Sequence, residues 1–196
     1  MKIGLYFGSF NPIHTGHLII ATHIINNTDL NEVWFVVSPQ NPFKQSVNLL
    51  NEQHRLSLIK IAIEGEVKLK ASNAEFKLPK PSYTIDTLAY LKEKYSKHDF
   101  SVIMGSDSYQ NLYKWKNYEQ ILNNYNIYIY LRPHFPVSEN QPKNIIILSA
   151  PLIELSSTEI RRYIKQGKSI RYMVTDGVMQ EIDDMHYYKS SIENPT

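Results

Sequence analysis

The sequence predicts an α/β domain: a doubly wound parallel sheet with helices on both faces. Two observations carry the prediction. Short apolar runs alternate with amphipathic helical segments along the whole chain. Runs such as Glu-Val-Trp-Phe-Val-Val at 32–37 are too continuously apolar for a half-solvated strand and suit one covered on both faces. At 196 residues, with no internal repeat and no low-complexity linker, a single domain over 1–189 is expected, with a flexible tail at 190–196.

Residues 3–7 read as the first strand, delivering Gly8 to its end, and 16–25 as a helix. Residues 32–37 are the second strand, and 38–45 a proline-bearing loop. In 52–63, Leu56, Ile59 and Ile63 recur at helical spacing. Residues 67–71 alternate apolar side chains with lysines, which suits a half-exposed strand. Pro79 and Pro81 break the chain. Residues 84–95 are helical, with Leu88, Leu91 and Tyr95 on one face. Strands follow at 100–104, 127–131 and 145–148, with a short helix at 118–122. Residues 157–166 and 177–185 read as the last helices. In such a sheet, ligands gather at the C-terminal strand ends, where the strand order reverses.

Composition narrows the function. There are 21 basic and 19 acidic residues, for a net charge of +2, which is not the footprint of a general nucleic-acid binder. The absence of cysteine excludes a disulfide scaffold and a thiolate metal site. The start lacks a signal-peptide pattern, and no apolar run is long enough to span a bilayer. A soluble cytoplasmic protein without membrane partners is the expectation.

The most informative stretch is Gly8-Ser9-Phe10-Asn11-Pro12-Ile13-His14-Thr15-Gly16-His17. A strand, a tight turn and a helix opening with two histidines favour an anion. Backbone N–H groups are free there, the helix dipole is positive at that end, and imidazoles three residues apart share one face. The dinucleotide Gly-x-Gly-x-x-Gly and Walker strings are both absent, so this phosphate site is of another type. Near the C-terminus, Ser156-Ser157-Thr158-Glu159-Ile160-Arg161 opens another helix. Ser156 or Ser157 can cap it, and Ser156 with Glu159 fits a capping box. Capping leaves Arg161 unexplained, since the dipole disfavours a cation in the first turns unless an anion is bound. Asp107 follows the fourth strand, where an acid serves either as a helix cap or as a ribose contact. Trp115 lies between two lysines and suits stacking on an aromatic base.

The first of these strings resembles the His-x-Gly-His signature of the nucleotidyltransferases, and its Gly-Ser-Phe-Asn-Pro is similar to the nicotinate/nicotinamide mononucleotide adenylyltransferase branch. The resemblance runs from Gly8 to Val174. It implies a Rossmann-like fold and transfer of AMP from ATP to the 5′-phosphate of nicotinate mononucleotide. The products are deamido-NAD and pyrophosphate, a step of NAD biosynthesis, made by direct in-line transfer. It implies catalytic roles for His14, His17, Lys44 and Arg161. It places ATP on Gly8, Ser9, Phe10, Gly105, Asp107, Arg132, Ser157 and Thr158. It places the nicotinate nucleotide on Ser82, Tyr83, Thr84, Thr87 and Trp115. The chain departs from the bacterial pattern at Asn11, where many members carry Asp, and at Phe43, where they carry His.

A phosphomonoester with a second pKa of about 6 needs no general base, so positioning and charge stabilisation suffice. Magnesium is expected to arrive with the ATP, and no metal ligands are expected on the protein. The imidazoles are expected to be neutral without ligand. The alternatives are nicotinamide mononucleotide or phosphopantetheine as acceptor, a cytidylyltransferase, and a non-catalytic nucleotide sensor. A zinc site on His14, His17 and His23 has no acidic partner in the motif. The sequence leaves the oligomeric state open, a homo-oligomer included.

Overall fold

The apolar runs pair side by side in one parallel sheet. The structure, a computed structural model, describes residues 1–40, 49–138 and 140–189. Its strands are β1 (Lys2–Gly8), β2 (Glu32–Val37), β3 (Leu69–Ser72), β4 (Asp99–Gly105), β5 (Ile127–Tyr130) and β6 (Ile145–Leu148). Their order is β3-β2-β1-β4-β5-β6, with every neighbouring pair parallel. In register, Leu5 lies between Trp34 of β2 and Val102 of β4. The order reverses between β1 and β4, which is where such sheets open a crevice.

Side-chain alternation along the strands feeds two cores. Tyr6, Phe35, Ile103 and Tyr128 share one with Ile20 and Ile24 of α1 (Thr15–Asn27), Leu56 and Ile59 of α2 (Glu52–Ala62), Ile160 of α6 (Ser157–Lys165), and Val178 and Ile182 of α7 (Asp176–Asp184). Ile3, Leu5, Val102 and Ile129 share the other with Leu88 and Leu91 of α3 (Thr84–Lys94) and Ile121 of α5 (Tyr118–Asn124). Helices on both faces confirm the doubly wound α/β architecture, and both cores belong to one sheet.

The third strand begins at Leu69 rather than 67. Its pairing starts opposite Val33, and Val67 is 76 % exposed in the preceding turn. A short α4 (Ser106–Gln110) and 3-10 turns at Ala74–Lys77 and Leu112–Lys114 were not legible as periodic segments. Most of the loop expected at 38–45, and the tail expected at 190–196, lie outside the described residues.

Asn51, Ser156 and Thr175 cap α2, α6 and α7 by accepting from Gln53, Glu159 and Val178 N–H. Each such cap is worth about 1 kcal/mol. At Ser156 only half the capping box forms, because Glu159 turns to Arg162 at 2.9 Å.

A fully buried arginine ties the strand-end loops together. Arg55 Nε donates to the Leu50 carbonyl at 2.7 Å, and Nη1 donates to Ser9 and, at 2.9 Å, to Ser38. Nη2 donates to Pro39 at 3.2 Å. The loop leaving β1, the end of β2 and the start of α2 thus share one guanidinium, whose fork geometry suits several carbonyls at once. Burial holds its pKa below the ordinary arginine value. Arg55→Met leaves these carbonyls without their donor and should lower stability by about 3 kcal/mol. Urea unfolding measures this, and a midpoint equal to wild type would remove Arg55 from the role.

Candidate active site

Beyond the C-terminal ends of β1 and β4 lies a cavity of about 830 Å³, within the usual range for a ligand pocket. Its floor is the loop leaving β1. Phe10 adopts φ 45, a left-handed conformation costing about 1 kcal/mol or more for a non-glycine residue. The strain is offset by burial of its ring. The ring is 2 % exposed and stands edge-on to Tyr6, Phe35 and His17 at 5.8, 5.5 and 5.0 Å. Gly8 leaves room for it, since a Cβ there would lie 2.8 Å from the Phe10 ring.

His14 is the N-cap of α1 and His17 is its N3 residue, so their spacing is that of a capping box with imidazole in place of glutamate. The His14 backbone N–H donates to His17 Nδ1 at 3.3 Å. That bond makes Nδ1 an acceptor and leaves the proton of neutral His17 on Nε2. The rings stack with centroids 3.7 Å apart. Gly16 fits between them and the neighbouring chain, because a Cβ there would come within 3.0 Å of His14 Nδ1 and 3.3 Å of Ile153. Burial, then the charge of Arg132, lowers His14 to about 4. Burial, then His14 and Arg132, holds His17 well below the ordinary value. Neutral imidazoles are what the helix dipole also favours.

On one side of the histidines stand two arginines. Arg161 curls back from α6 to donate to the Asn11 carbonyl at 2.7 Å and to Thr158 Oγ1 at 3.2 Å. Ser157 Oγ donates to the Pro12 carbonyl at 2.8 Å, so α6 is stitched to the histidine loop. Arg132 lies over the Tyr130 ring at 5.3 Å. Its Nε is buried without a hydrogen-bond partner among the described residues, with Asp107 Oδ1 4.0 Å away. Gly105 caps α4, and Ser106 Oγ accepts the Arg132 N–H at 2.8 Å. Gly8, Ser9, Phe10, Gly105, Asp107, Arg132, Ser157, Thr158 and Arg161 all line the cavity with His14 and His17.

Toward the second core, where α3, Tyr83 and Trp115 pack and α6 does not, the cavity is walled by Ser82, Tyr83, Thr84 and Trp115. Tyr83 is the N-cap of α3 but makes no side-chain cap bond, which leaves that helix start open to an anion. Thr87 is a correction. It is fully buried and does not line the cavity; its hydroxyl donates to Glu75 Oε1 at 3.0 Å, one helical turn behind Thr84. Lys44 and Phe43 lie outside the described residues. His23 meets Asn27 at 3.4 Å and is not part of the cavity.

Four residues escaped the sequence reading. Arg55 holds the loops, and Glu75 and Lys116 line the cavity with Ser82, Tyr83 and Thr84. Lys116 pairs with Asp86 at 2.8 Å and sits over the Tyr83 ring at 5.1 Å. Tyr188 donates to Asn11 Oδ1 at 2.9 Å, where the Leu50 N–H also donates at 3.1 Å. No local pattern marks any of them: Arg55, Lys116 and Tyr188 act on distant segments, and Glu75 acts across the break at Pro79 and Pro81.

A parallel sheet with a histidine pair and two arginines at its switch point defines a nucleotide-binding transferase site. A family profile described as cytidylyltransferase-like matches residues 5–163. The probable nicotinate-nucleotide adenylyltransferase of Cytophaga hutchinsonii is 51 % identical over 191 residues, covering 97 % of this chain and 100 % of the relative. That of Flavobacterium johnsoniae is 50 % identical, covering 96 % and 100 %. The chain belongs to the cytidylyltransferase-like family and, within it, to the nicotinate-nucleotide adenylyltransferases. The solved Plasmodium falciparum nicotinic acid mononucleotide adenylyltransferase complexed with NaAD shares the fold, with a TM-score of 0.79, 22 % identity, and coverage of 95 % of this chain and 97 % of that one.

The depressed histidines make stability depend on pH. Between pH 6.5 and about 4 the unfolded chain takes up a proton that folded His14 refuses. Stability is therefore full above pH 6.5 and falls toward pH 4, by up to about 3 kcal/mol for His14. Thermal melts across this window should show the decline. A non-hydrolysable ATP analogue should raise both histidine pKa values in an NMR titration; equal values with and without it would refute the assignment of these rings to a phosphate site.

Proposed function

We propose that this chain transfers the adenylyl group of ATP to the 5′-phosphate of nicotinate mononucleotide, giving deamido-NAD and pyrophosphate in NAD biosynthesis. One observation carries the reading. A single cavity holds the stacked histidines between an arginine-bearing end, framed by Arg132, Arg161 and the start of α6, and an aromatic end formed by Trp115 and the start of α3.

The triphosphate lies along the first end. The N–H groups opening α6, the Thr158 hydroxyl and Arg161 hold its oxygens, with Ser157 fixing α6 to the histidine loop through Pro12, while Arg132 meets them from the β5 side. Asp107 takes the ribose hydroxyls, and Ser9 and the neighbouring backbone take phosphate. The pyridine ring stacks on Trp115. Its carboxylate sits at the open start of α3, near Lys116, where an anion is favoured over an amide. Ser82, Tyr83 and Thr84 form that wall.

In the reaction an oxygen of the acceptor's 5′-phosphate forms a bond to the α-phosphorus. The bond from that phosphorus to the bridging oxygen breaks, and pyrophosphate leaves with the electron pair. The acceptor oxygen carries no proton when dianionic, so no base is needed. His17 Nε2–H and His14 serve as donors to the phosphoryl oxygens, where charge builds in the transition state. Lys44 adds a further cation by its resemblance to the family lysine. Magnesium enters as part of the ATP substrate. The described residues contain no group of three His, Cys, Asp or Glu side chains suited to an ion. The cavity's acids are Asp107, beside Arg132, and Glu75, hydrogen-bonded to hydroxyls. The phosphates and water would supply such an ion's ligands, and the ion would add charge neutralisation on the phosphate oxygens.

Pyrophosphate release with ATP tests the reading against three acceptors: nicotinate mononucleotide, nicotinamide mononucleotide and phosphopantetheine. Nicotinate mononucleotide should be turned over fastest, and a preference for phosphopantetheine would defeat the assignment. His17→Ala should lower kcat by about 10²-fold or more with circular dichroism unchanged; near-normal turnover would remove His17 from the reaction.

A further inference from the structure

Glu75 is a buried acid that the transfer chemistry does not use. It sits in the 3-10 turn Ala74–Lys77, is 2 % exposed, and still contributes to the cavity wall. Both carboxylate oxygens are occupied by hydroxyl donors. Ser82 Oγ donates to Oε2, and Thr87 Oγ1 donates to Oε1 at 3.0 Å. The Ser38 hydroxyl at the end of β2 also bonds to it. Among the described residues no Lys, Arg or His forms an ion pair with it.

Those partners come from three different segments: the strand end after β2, the chain entering α3, and the first turn of α3. They flank Tyr83 and Thr84 on both sides in sequence. Thr87 Oγ1 also lies 3.3 Å from the Tyr83 carbonyl, so the bonds to Glu75 bear directly on the N-cap residue. The start of α3 has no side-chain cap of its own. Without such a cap, the direction of its free N–H groups depends on what holds the flanking chain.

We infer that Glu75 is a positioning residue for the acceptor nucleotide, acting through Ser82 and Thr87 on the backbone that opens α3; this rests on the acceptor end assigned above. A carboxylate suits the task better than an amide, because it accepts from several hydroxyls with neither oxygen needing to donate. It touches no substrate atom in this role. Its direct bonds bear on the acceptor end: Arg132, Arg161 and α6 share no hydrogen bond with it, and Ser38 touches the loop at Gly8 and Ser9 through its backbone, which the Glu75→Gln change leaves in place.

The test is steady-state kinetics on wild type, Glu75→Gln, Thr87→Val and the double variant. ATP is varied in one series. Nicotinate mononucleotide and nicotinamide mononucleotide are each varied in another. Glu75→Gln should raise the KM of both acceptors alike, by about tenfold, with the KM of ATP unchanged. Thr87→Val keeps the shape and removes one bond, so it should move acceptor KM in the same direction and remain informative if Glu75→Gln does not fold. The double variant should be no worse than Glu75→Gln, since both disrupt one network. A parallel rise in the KM of ATP would show a merely structural role and overturn the inference. So would an unmoved acceptor KM, or a change in the ratio between the two acceptors, which would mean that the charge acts on the substrate directly. If wild type turns over and the variants' acceptor KM stays put, only the Glu75 assignment fails. If wild type adenylylates neither acceptor, the proposed function fails and this inference fails with it.

Discussion

The hydrogen-bonded pairing of β1 with β4 is the constraint on which the rest of this molecule depends. From that seam the sheet winds outward in opposite directions, to β2 and β3 on one side and to β5 and β6 on the other. The chains leaving β1 and β4 therefore part company and open a crevice between them. One carries the histidine loop and the other carries Gly105 and Asp107. Because every pair is parallel, Arg132 after β5 and Ser38 after β2 reach the same edge. With β1 paired elsewhere, the histidines and Asp107 would not share a cavity. Such a sheet is stable only when both faces are covered, which the two helical layers achieve.

Charge inside the crevice is left unbalanced in a useful direction. Arg161 is held by a backbone carbonyl and a hydroxyl, and Arg132 by an aromatic face with one acid at 4.0 Å. These contacts fix geometry and cancel little of the cationic field. Burial, helped by the charge of Arg132, keeps both imidazoles neutral. On the proposed reading, a bound triphosphate would bring several negative charges and reverse the balance, making the rings better donors. His17 needs no change of tautomer to take part, because the His14 N–H already occupies its Nδ1. Preorganised donors of this kind do not have to reorganise at the moment of reaction.

What the sequence made legible was local and periodic. The strands, the long helices and the strand-end strings around His14, Asp107 and Ser157 announce themselves by repeat, by cap and by glycine. α4 did not, since five residues of Ser-Asp-Ser-Tyr-Gln look like a polar turn until the sheet places them. Thr87 was misread because the string from Pro81 to Leu88 is continuous in sequence, while a helix carries its fourth residue about one turn away from its first. Arg55, Glu75 and Tyr188 were invisible for a different reason. For Arg55 and Tyr188 the meaning lies in contacts far along the chain, such as Tyr188 on Asn11, while Glu75 meets Ser82 and Thr87 across a proline-broken stretch that shows no periodic pattern.

Asn11 shows how such contacts decide whether a departure from the family pattern matters. Its Oδ1 accepts from the Leu50 N–H and the Tyr188 hydroxyl, and its backbone carbonyl accepts from Arg161. An aspartate could accept the same two side-chain bonds, and it differs from the amide in charge. Asn11 is 2 % exposed and lies at the arginine-bearing end of the cavity. A carboxylate there would have to be buried beside Arg161 and would offset part of the field that draws a triphosphate. The neutral amide keeps the loop's geometry and leaves the positive charge of Arg161 facing the phosphate site undiminished.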